Sequence, residues 1–330
     1  MTTSLDLARA VDAALEATII GSFTKIGPAV RRRTDAWEPT SSFDLSGKTM
    51  LVTGANSGLG LAAATALART GATVRVTVRS DAKGTATVDQ IVEASGNQDV
   101  SYDVLDLTDL DAVRAFTARW RDADHPLDGL LHNAGAMFAE RSEVDGIETT
   151  TLLHVVAPMV LTEGLMPALR ASTHPGRVVF VTSGGMYAEG LRVHRLQSPK
   201  GYTPATAYAR AKRAQVVLTD QLAQRLGTDI AVHAMHPGWA ATPGVQDSLP
   251  IFNTLMGPLL RTPDAGADTA VWLMASPETG RDPGKLWLDR RPRSTVRVPK
   301  TGHGPDEAAA LWAEIVRLGQ LDEDAFTPHA

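Results

Sequence analysis

Lys48-Thr-Met-Leu-Val-Thr53 runs directly into Gly54-Ala-Asn-Ser-Gly-Leu-Gly60, and this passage decides the fold. The first six residues read as a short buried strand. The glycines then allow a tight turn, and a helix through about Arg69 opens at once. Such a turn presents the free N–H groups and positive dipole end of a helix N-terminus to an anion. Three glycines alone are a weak signal; their place between a strand and a helix makes it specific for a dinucleotide pyrophosphate. Gly54, Asn56, Ser57, Gly58, Leu59 and Gly60 are the candidate residues of this cradle.

Outward from this point, short apolar runs alternate with helical patterns. Further strands are expected at Thr73–Val78, Val100–Leu105, Leu127–His132, Gly176–Thr182, Ile230–Met235 and Gly284–Asp289. Long helices are expected at Gly146–Leu169, where Pro158 is a candidate kink, and at Ala205–Leu226. The fold class is α/β: a Rossmann-like, doubly wound, mainly parallel seven-stranded sheet in three layers (α/β/α). Residues 45–290 form this domain. Residues 1–44 precede it as a helical arm, with Leu7, Val11, Ala14, Leu15 and Ile19 on one apolar stripe, and 291–330 follow as a tail with a helix at Pro305–Leu318. The arm packs on its own domain, joins copies of the chain, or lies on a membrane surface, the first being favoured.

The chain has 330 residues, a net charge of −5 and no cysteine. Nucleic-acid binding, thiol catalysis and disulfides are therefore not expected. The histidines lack zinc-enzyme spacing, so no metal site is expected. Arg31-Arg32-Arg33 reads as a solvated turn. No uninterrupted apolar run is long enough to span a bilayer, and the N-terminus is too charged for a signal peptide, so a cytoplasmic protein without an integral membrane segment is expected.

After the second strand comes Val78-Arg79-Ser80, with Lys83 beyond. An acidic residue there would accept from a ribose 2′-hydroxyl; Arg79 instead suits a 2′-phosphate, so NADP(H) is expected over NAD(H). Asp106, followed by Leu107, can accept from an adenine amino group or cap a helix. Tyr208 and Lys212 lie one helical turn apart on one face. A phenol with an ordinary pKa near 10 is a poor base at neutral pH, and a neighbouring cation favours its ionised form. Lys212 can also reach the nicotinamide ribose, and Ser183, at the end of the fifth strand, can hold a substrate oxygen.

These residues resemble the short-chain dehydrogenase/reductase family over roughly 46–290. The likeness rests on the glycine turn, Asp106, His132-Asn-Ala-Gly135, Ser183, Tyr208 with Lys212, and His236-Pro-Gly238 with Thr242. Ser183-Gly-Gly-Met186, Lys212-Arg-Ala-Gln-Val-Val-Leu-Thr219 and Gly266-Ala-Asp-Thr-Ala-Val-Trp-Leu273 are similar to the retinol-dehydrogenase-like branch, and within it to the member-twelve-like group. The resemblance implies that Asn133, Ala134 and Gly135 support the sheet and adenosine end. It also implies that Pro237 and Gly238 lie near the nicotinamide and that Thr242 contacts its carboxamide. One departure stands out: His154 occupies the helix position where the family usually carries an Asn whose backbone holds a relay water. His154 is therefore either a substitute relay or substrate contact, or a packed helix residue.

Met186, Tyr187, Trp239, Phe252 and Met256 are candidate walls of an apolar pocket. The expected reaction is hydride transfer between NADP(H) and a small apolar carbonyl or alcohol, with Ser183, Tyr208, Lys212 and His154 as catalytic candidates. The alternative is a dinucleotide-binding sensor or scaffold with little turnover. A homo-oligomer is possible, with Val216, Val217 and the arm either enabling or blocking contact between copies.

Overall fold

The computed structural model describes residues 2–242, 254 and 256–328. Its strands are β1 (Thr49–Thr53), β2 (Thr73–Val78), β3 (Val100–Val104), β4 (Gly129–His132), β5 (Glu143–Val144), β6 (Ile147–Glu148), β7 (Gly176–Val181), β8 (Ile230–Met235), β9 (Leu286–Leu288) and β10 (Arg291–Arg293). β5 and β6 form a separate hairpin, and the others make one sheet in the order β10-β9-β8-β7-β4-β1-β2-β3. From β9 to β3 every pairing is parallel. The chain winds outward from β1 through β2 to β3, then returns to β4 on the other side of β1. That reversal opens a crevice at the carboxyl ends of β1 and β4, where such sheets bind ligands.

The sheet has eight strands among the described residues, not the seven expected. The eighth, β10, pairs antiparallel with β9 across Asp289-Arg290, both at positive φ (53° and 54°). A two-residue turn of this kind usually carries Asn-Gly or Asp-Gly. Asp-Arg hides it, and Arg-Pro-Arg has no apolar signature of a strand.

Helices cover both faces. α4 (Gly58–Arg69), α5 (Asp81–Ser95) and α9 (Pro263–Ala275) pack one side through Ala63, Leu67, Ile91 and Val271. α6 (Leu110–Asp122), α7 (Thr149–Arg170), α8 (Pro204–Leu226) and α10 (Pro305–Gly319) pack the other. By length and composition α7 could cross a membrane, yet Leu152, Met159, Val160 and Leu161 are at most 1% exposed, which marks a core helix. α10 lies on α7 and α8. There Trp312 stacks under Arg225 with 3.8 Å between guanidinium and ring centroid, and Gln221 donates to the Ala308 carbonyl at 2.8 Å. Val217 lies in that same core, while Val216 packs in a small cluster with Phe23. Both candidate oligomer contacts are thus buried within the chain.

The arm comprises α1 (Thr2–Glu16), α2 (Ile19–Phe23) and α3 (Ile26–Thr34), and it packs on its own domain. Its expected apolar stripe does not face inward: Leu7 is 65% and Ile19 54% exposed. Charge holds it instead. Arg31 is fully buried and donates to Asp12 at 2.7 Å, Glu16 at 2.8 Å and Asp289 at 2.5 Å. Arg31 is therefore not a solvated turn residue, although Arg32 and Arg33 are exposed.

Candidate active site

The cradle forms as its sequence dictates. Gly54 and Gly58 take φ of +65° and +57°, conformations costly for residues with a Cβ. A Cβ on Gly54 would stand 2.7 Å from the Ala134 Cα. On Gly60 it would meet Asn133 Nδ2 at 2.4 Å and the Gly54 carbonyl at 2.5 Å. Asn56 and Ser57 are exposed, and Ser57 occupies the N-cap of α4 without a side-chain cap bond. The first N–H groups of α4 therefore remain open to an anion. Leu59 is fixed from behind, since α9 passes so close that a Cβ on Gly266 would sit 2.6 Å from Leu59 Cδ2.

Asn133 ties β4 to this turn. Its Nδ2 donates to the Thr53 and Gly54 carbonyls, both at 3.0 Å, while Thr53 Oγ1 accepts from the Asn133 and Ala134 N–H groups at 3.1 Å. Gly135 is exposed and backs onto His154; a Cβ there would lie 2.6 Å from the ring. Past the end of β2, Arg79 is exposed and has no hydrogen-bond or ion-pair partner among the described residues. Asp81, the nearest acid, accepts from the Tyr102 hydroxyl at 3.4 Å. Asp106 is exposed, and only its Oδ1 is engaged, by the Thr108 N–H and hydroxyl at 2.8 Å. It does not cap α6; Asp109 does, accepting from Ala112 N at 2.9 Å. Leu107 is buried beneath.

Ser183, Tyr208 and Lys212 come together. Ser183 lies two residues past the end of β7 and accepts from Gly185 N at 3.2 Å, and its side chain favours ionisation of the neighbouring Tyr208 phenol. Lys212 is 3% exposed, with its Nζ 5.4 Å from the Tyr208 ring centroid and donating to the Val181 carbonyl at 2.8 Å. Burial brings the Lys212 ammonium down to about 7. Burial also raises the Tyr208 phenol, against the lowering effect of Ser183. The expected downward tuning of the phenol is thus not met in the chain by itself: the cation lies over the ring and bonds to backbone.

His154 is fully buried and edge-on to Tyr208, with ring centroids 5.2 Å apart. Its Nε2 pairs with the Ala136 carbonyl at 2.8 Å. Burial and the Lys212 charge depress its pKa to about 3, against that bond, so the ring is neutral. Its backbone has a specific cause. Pro158 has no N–H for the carbonyl four residues earlier, which is that of His154. The helix opens into a π-turn at Leu152–Val156, and Gln215 Nε2 donates to the freed carbonyl at 2.7 Å. The carbonyl that the resemblance assigns to the relay is therefore already hydrogen-bonded.

Pro237 is buried, and Gly238 takes φ +71° against the arm, where a Cβ would lie 2.4 Å from Arg261 Nε. Thr242 follows, half-buried. Of the candidate walls, Met186 is fully buried core and Tyr187 donates to the Ser294 carbonyl at 2.9 Å. Trp239 and Met256 are half-buried, and Phe252 lies outside the described residues.

The family model for short chain dehydrogenases matches residues 48–250. This chain belongs to the short-chain dehydrogenase family. Human dehydrogenase/reductase SDR family member 12 is 38% identical over 282 residues, covering 84% of this chain and 87% of that one. Bovine retinol dehydrogenase 12 is 33% identical over 280 residues, covering 82% and 88%. These relatives match the retinol-dehydrogenase-like branch. A crystal structure from Mycobacterium paratuberculosis aligns with TM-score 0.68 and 28% identity over 86% of this chain and 98% of that one. A short-chain dehydrogenase from Shigella flexneri 2a strain 301, complexed with NADP, aligns with TM-score 0.60 and 27% identity over 75% and 98%. The chain is thus an oxidoreductase with an NAD(P)-binding fold.

Three features of this short-chain dehydrogenase were not picked out from sequence. Gln215 lies one turn beyond Lys212, a signal that was available. Arg261 carries no motif, and Asp289 lies in Leu288-Asp-Arg-Arg-Pro-Arg-Ser294, a stretch similar to the member-twelve-like group, with no sign there of its ion pairs. Both residues are buried at 1% exposure each and paired at 2.6 Å, and they reach the arm from distant parts of the chain.

Proposed function

We propose that the protein is an NADP(H)-dependent reductase or dehydrogenase of an apolar carbonyl or alcohol, with Tyr208 as the acid/base. The observation that carries this reading is the placing of Ser183, just past the carboxyl end of β7, beside Tyr208, with Lys212 Nζ 5.4 Å from the tyrosine ring centroid. The cradle residues fit a pyrophosphate, because Gly54 and Gly58 make the positive-φ turn and Ser57 leaves the first N–H groups of α4 uncapped. Arg79, unpaired among the described residues, fits a 2′-phosphate. When bound, the nicotinamide supplies or takes the hydride.

The chain's own residues do the rest. Ser183 positions the substrate oxygen beside Tyr208, and the Tyr208 hydroxyl gives its proton to that oxygen or takes it back. Lys212, brought by burial to about 7, can carry or release a proton near neutrality beside the tyrosine. His154 acts as a neutral positioning residue that fixes the Ala136 segment beside the tyrosine.

Absorbance at 340 nm with NADPH and NADH against an aldehyde and ketone panel tests the reading. Tyr208→Phe should lower kcat/KM about 10²- to 10⁴-fold; a fully active variant overturns the assignment. The second reading, a dinucleotide sensor, is favoured by His154 standing where the family usually carries an Asn. Tight NADPH binding without turnover of any panel member would establish it.

A further inference from the structure

We propose that the outer face of the N-terminal arm is a docking surface for an anionic lipid bilayer. An ordinary surface helix buries its apolar stripe and leaves its charges in water. The arm does the reverse. On α1, Ala8 is buried, and Asp12 and Glu16 follow it at helical spacing on the inward side, where Arg31 pairs with both. Arg293 and Arg297 add further ion pairs to the two acids. On the opposite side of α1, and just past its end, Leu7, Ala10, Ala14 and Ala17 are exposed at the same kind of spacing. Ile19 and Ile20 of α2 and Ile26 and Ala29 of α3 are exposed beyond them. Six large apolar side chains are exposed among the described residues, and four of these are Leu7, Ile19, Ile20 and Ile26. A fifth, Val298, adjoins Arg297, whose guanidinium donates to the Glu16 carbonyl at 3.3 Å. Scattered apolar side chains are ordinary on a protein surface; a cluster of them is not.

Charge decides which partner fits. The whole chain carries −5, yet across residues 6–34 the exposed charged side chains are Arg9, Lys25, Arg32 and Arg33 against Asp6 alone. Of these cations, Arg32 also reaches Asp268, at 3.8 Å. The acids that would offset them are drawn inward by a clamp of buried ion pairs, in which Asp289 holds Arg261 at 2.6 Å and Arg31 at 2.5 Å. Apolar and cationic side chains interleaved on one face match acyl chains beneath anionic headgroups. A second copy of the chain fits less well, because an isologous contact through this face would set its cations against their own counterparts. α1 has 15 residues, about 22 Å in length, which is short of the ~30 Å hydrocarbon core, and the arm's inner side is committed to the domain. The arm therefore lies along the headgroup region instead of crossing the bilayer.

The test is flotation of the full chain with vesicles of about three parts phosphatidylcholine to one of phosphatidylserine, and with vesicles of phosphatidylcholine alone. It needs neither cofactor nor substrate, so its outcome is independent of the reductase reading. The parent should float with the first far more than with the second, and added salt should release it. Ile19→Ser with Ile20→Ser removes two exposed apolar side chains and should weaken binding at least about tenfold. Lys25→Gln with Arg33→Gln should weaken it about fivefold per charge, on the anionic vesicles alone. All four positions are exposed, so melting temperatures should match the parent's; Leu7→Ser supplies a second apolar probe if the isoleucine pair fails to fold. A parent that floats with neither vesicle overturns the proposal. So does flotation that ignores phosphatidylserine, or that survives the isoleucine substitutions unchanged. A parent that sediments as a dimer, dissociates on Ile19→Ser with Ile20→Ser and floats with nothing gives this face to a second copy instead.

Discussion

The glycine turn after β1 and the arm clamp fix neighbouring backbone by opposite means. The cradle is contiguous, uses backbone N–H groups, and works because side chains are missing at Gly54 and Gly60. The clamp joins Arg31 to Asp289, 258 positions apart, and works through charged side chains removed from water. A local backbone device survives many sequence contexts. A buried charge network is stable only when every partner is present. The cradle should therefore fail in function first, and the clamp in stability first.

The largest effect that could break this contrast is at Asp289. Asp289→Ala leaves Arg31 and Arg261 buried without their shared carboxylate, and should cost about 3–5 kcal/mol in urea unfolding and expose the arm to protease. An unchanged midpoint would show that the clamp is decorative. Next comes acid. Burial holds His132 and His154 at about 3, below the ordinary 6.5, so both are neutral in the fold while the unfolded chain takes up protons. Stability should fall as pH drops from 6.5 towards 3, by on the order of 3 kcal/mol per histidine. Burial raises the Asp12 carboxyl, but hydrogen bonds and charge from Arg293 and Arg31 outweigh it and hold the group at about 2. Its share, on the order of 2 kcal/mol, should persist until pH falls from about 4 towards 2. Melting followed by circular dichroism across pH checks both windows; His132→Asn should shrink the first by about half, leaving the His154 share, and should not move the second.

Gly60→Ala sharpens the other side. The new methyl meets Asn133 Nδ2 and the Gly54 carbonyl, so NADPH affinity should fall at least about tenfold, with about 1–3 kcal/mol of stability lost and the arm still protected from protease. Smallest is Arg79→Ala: NADPH KM should rise about tenfold and NADH KM barely move, the loss of one charge-assisted hydrogen bond. An equal change for both cofactors would remove Arg79 from the 2′-phosphate role.

Much of the parallel sheet was readable because its strands are apolar runs buried on both faces, and β2 and β8 fall where the runs do. Ser183, Tyr208 and Lys212 were readable because strand ends and helical spacing place them without long-range information. β10 was not, since Arg-Pro-Arg pairs through its backbone and Asp289-Arg290 turns with positive φ despite having side chains. The arm's orientation was misjudged for a related reason. Leu7 and Ile19 mark an apolar stripe, but ion pairs to Asp12 and Glu16 determine which side faces inward. At His154 the cause was in plain view as Pro158, four residues on, while the carbonyl's new partner was not.

By itself, the sequence determined most of the sheet, the glycine turn after β1 and the grouping of Ser183, Tyr208 and Lys212. Each depends on periodicity, backbone freedom or spacing within one element. Only the tertiary structure decided what Arg31, Arg261 and Asp289 do, who occupies the His154 carbonyl, and where Phe23 lies. Those outcomes depend on which groups lose water together, and residues far apart in the chain carry no local mark of that shared burial.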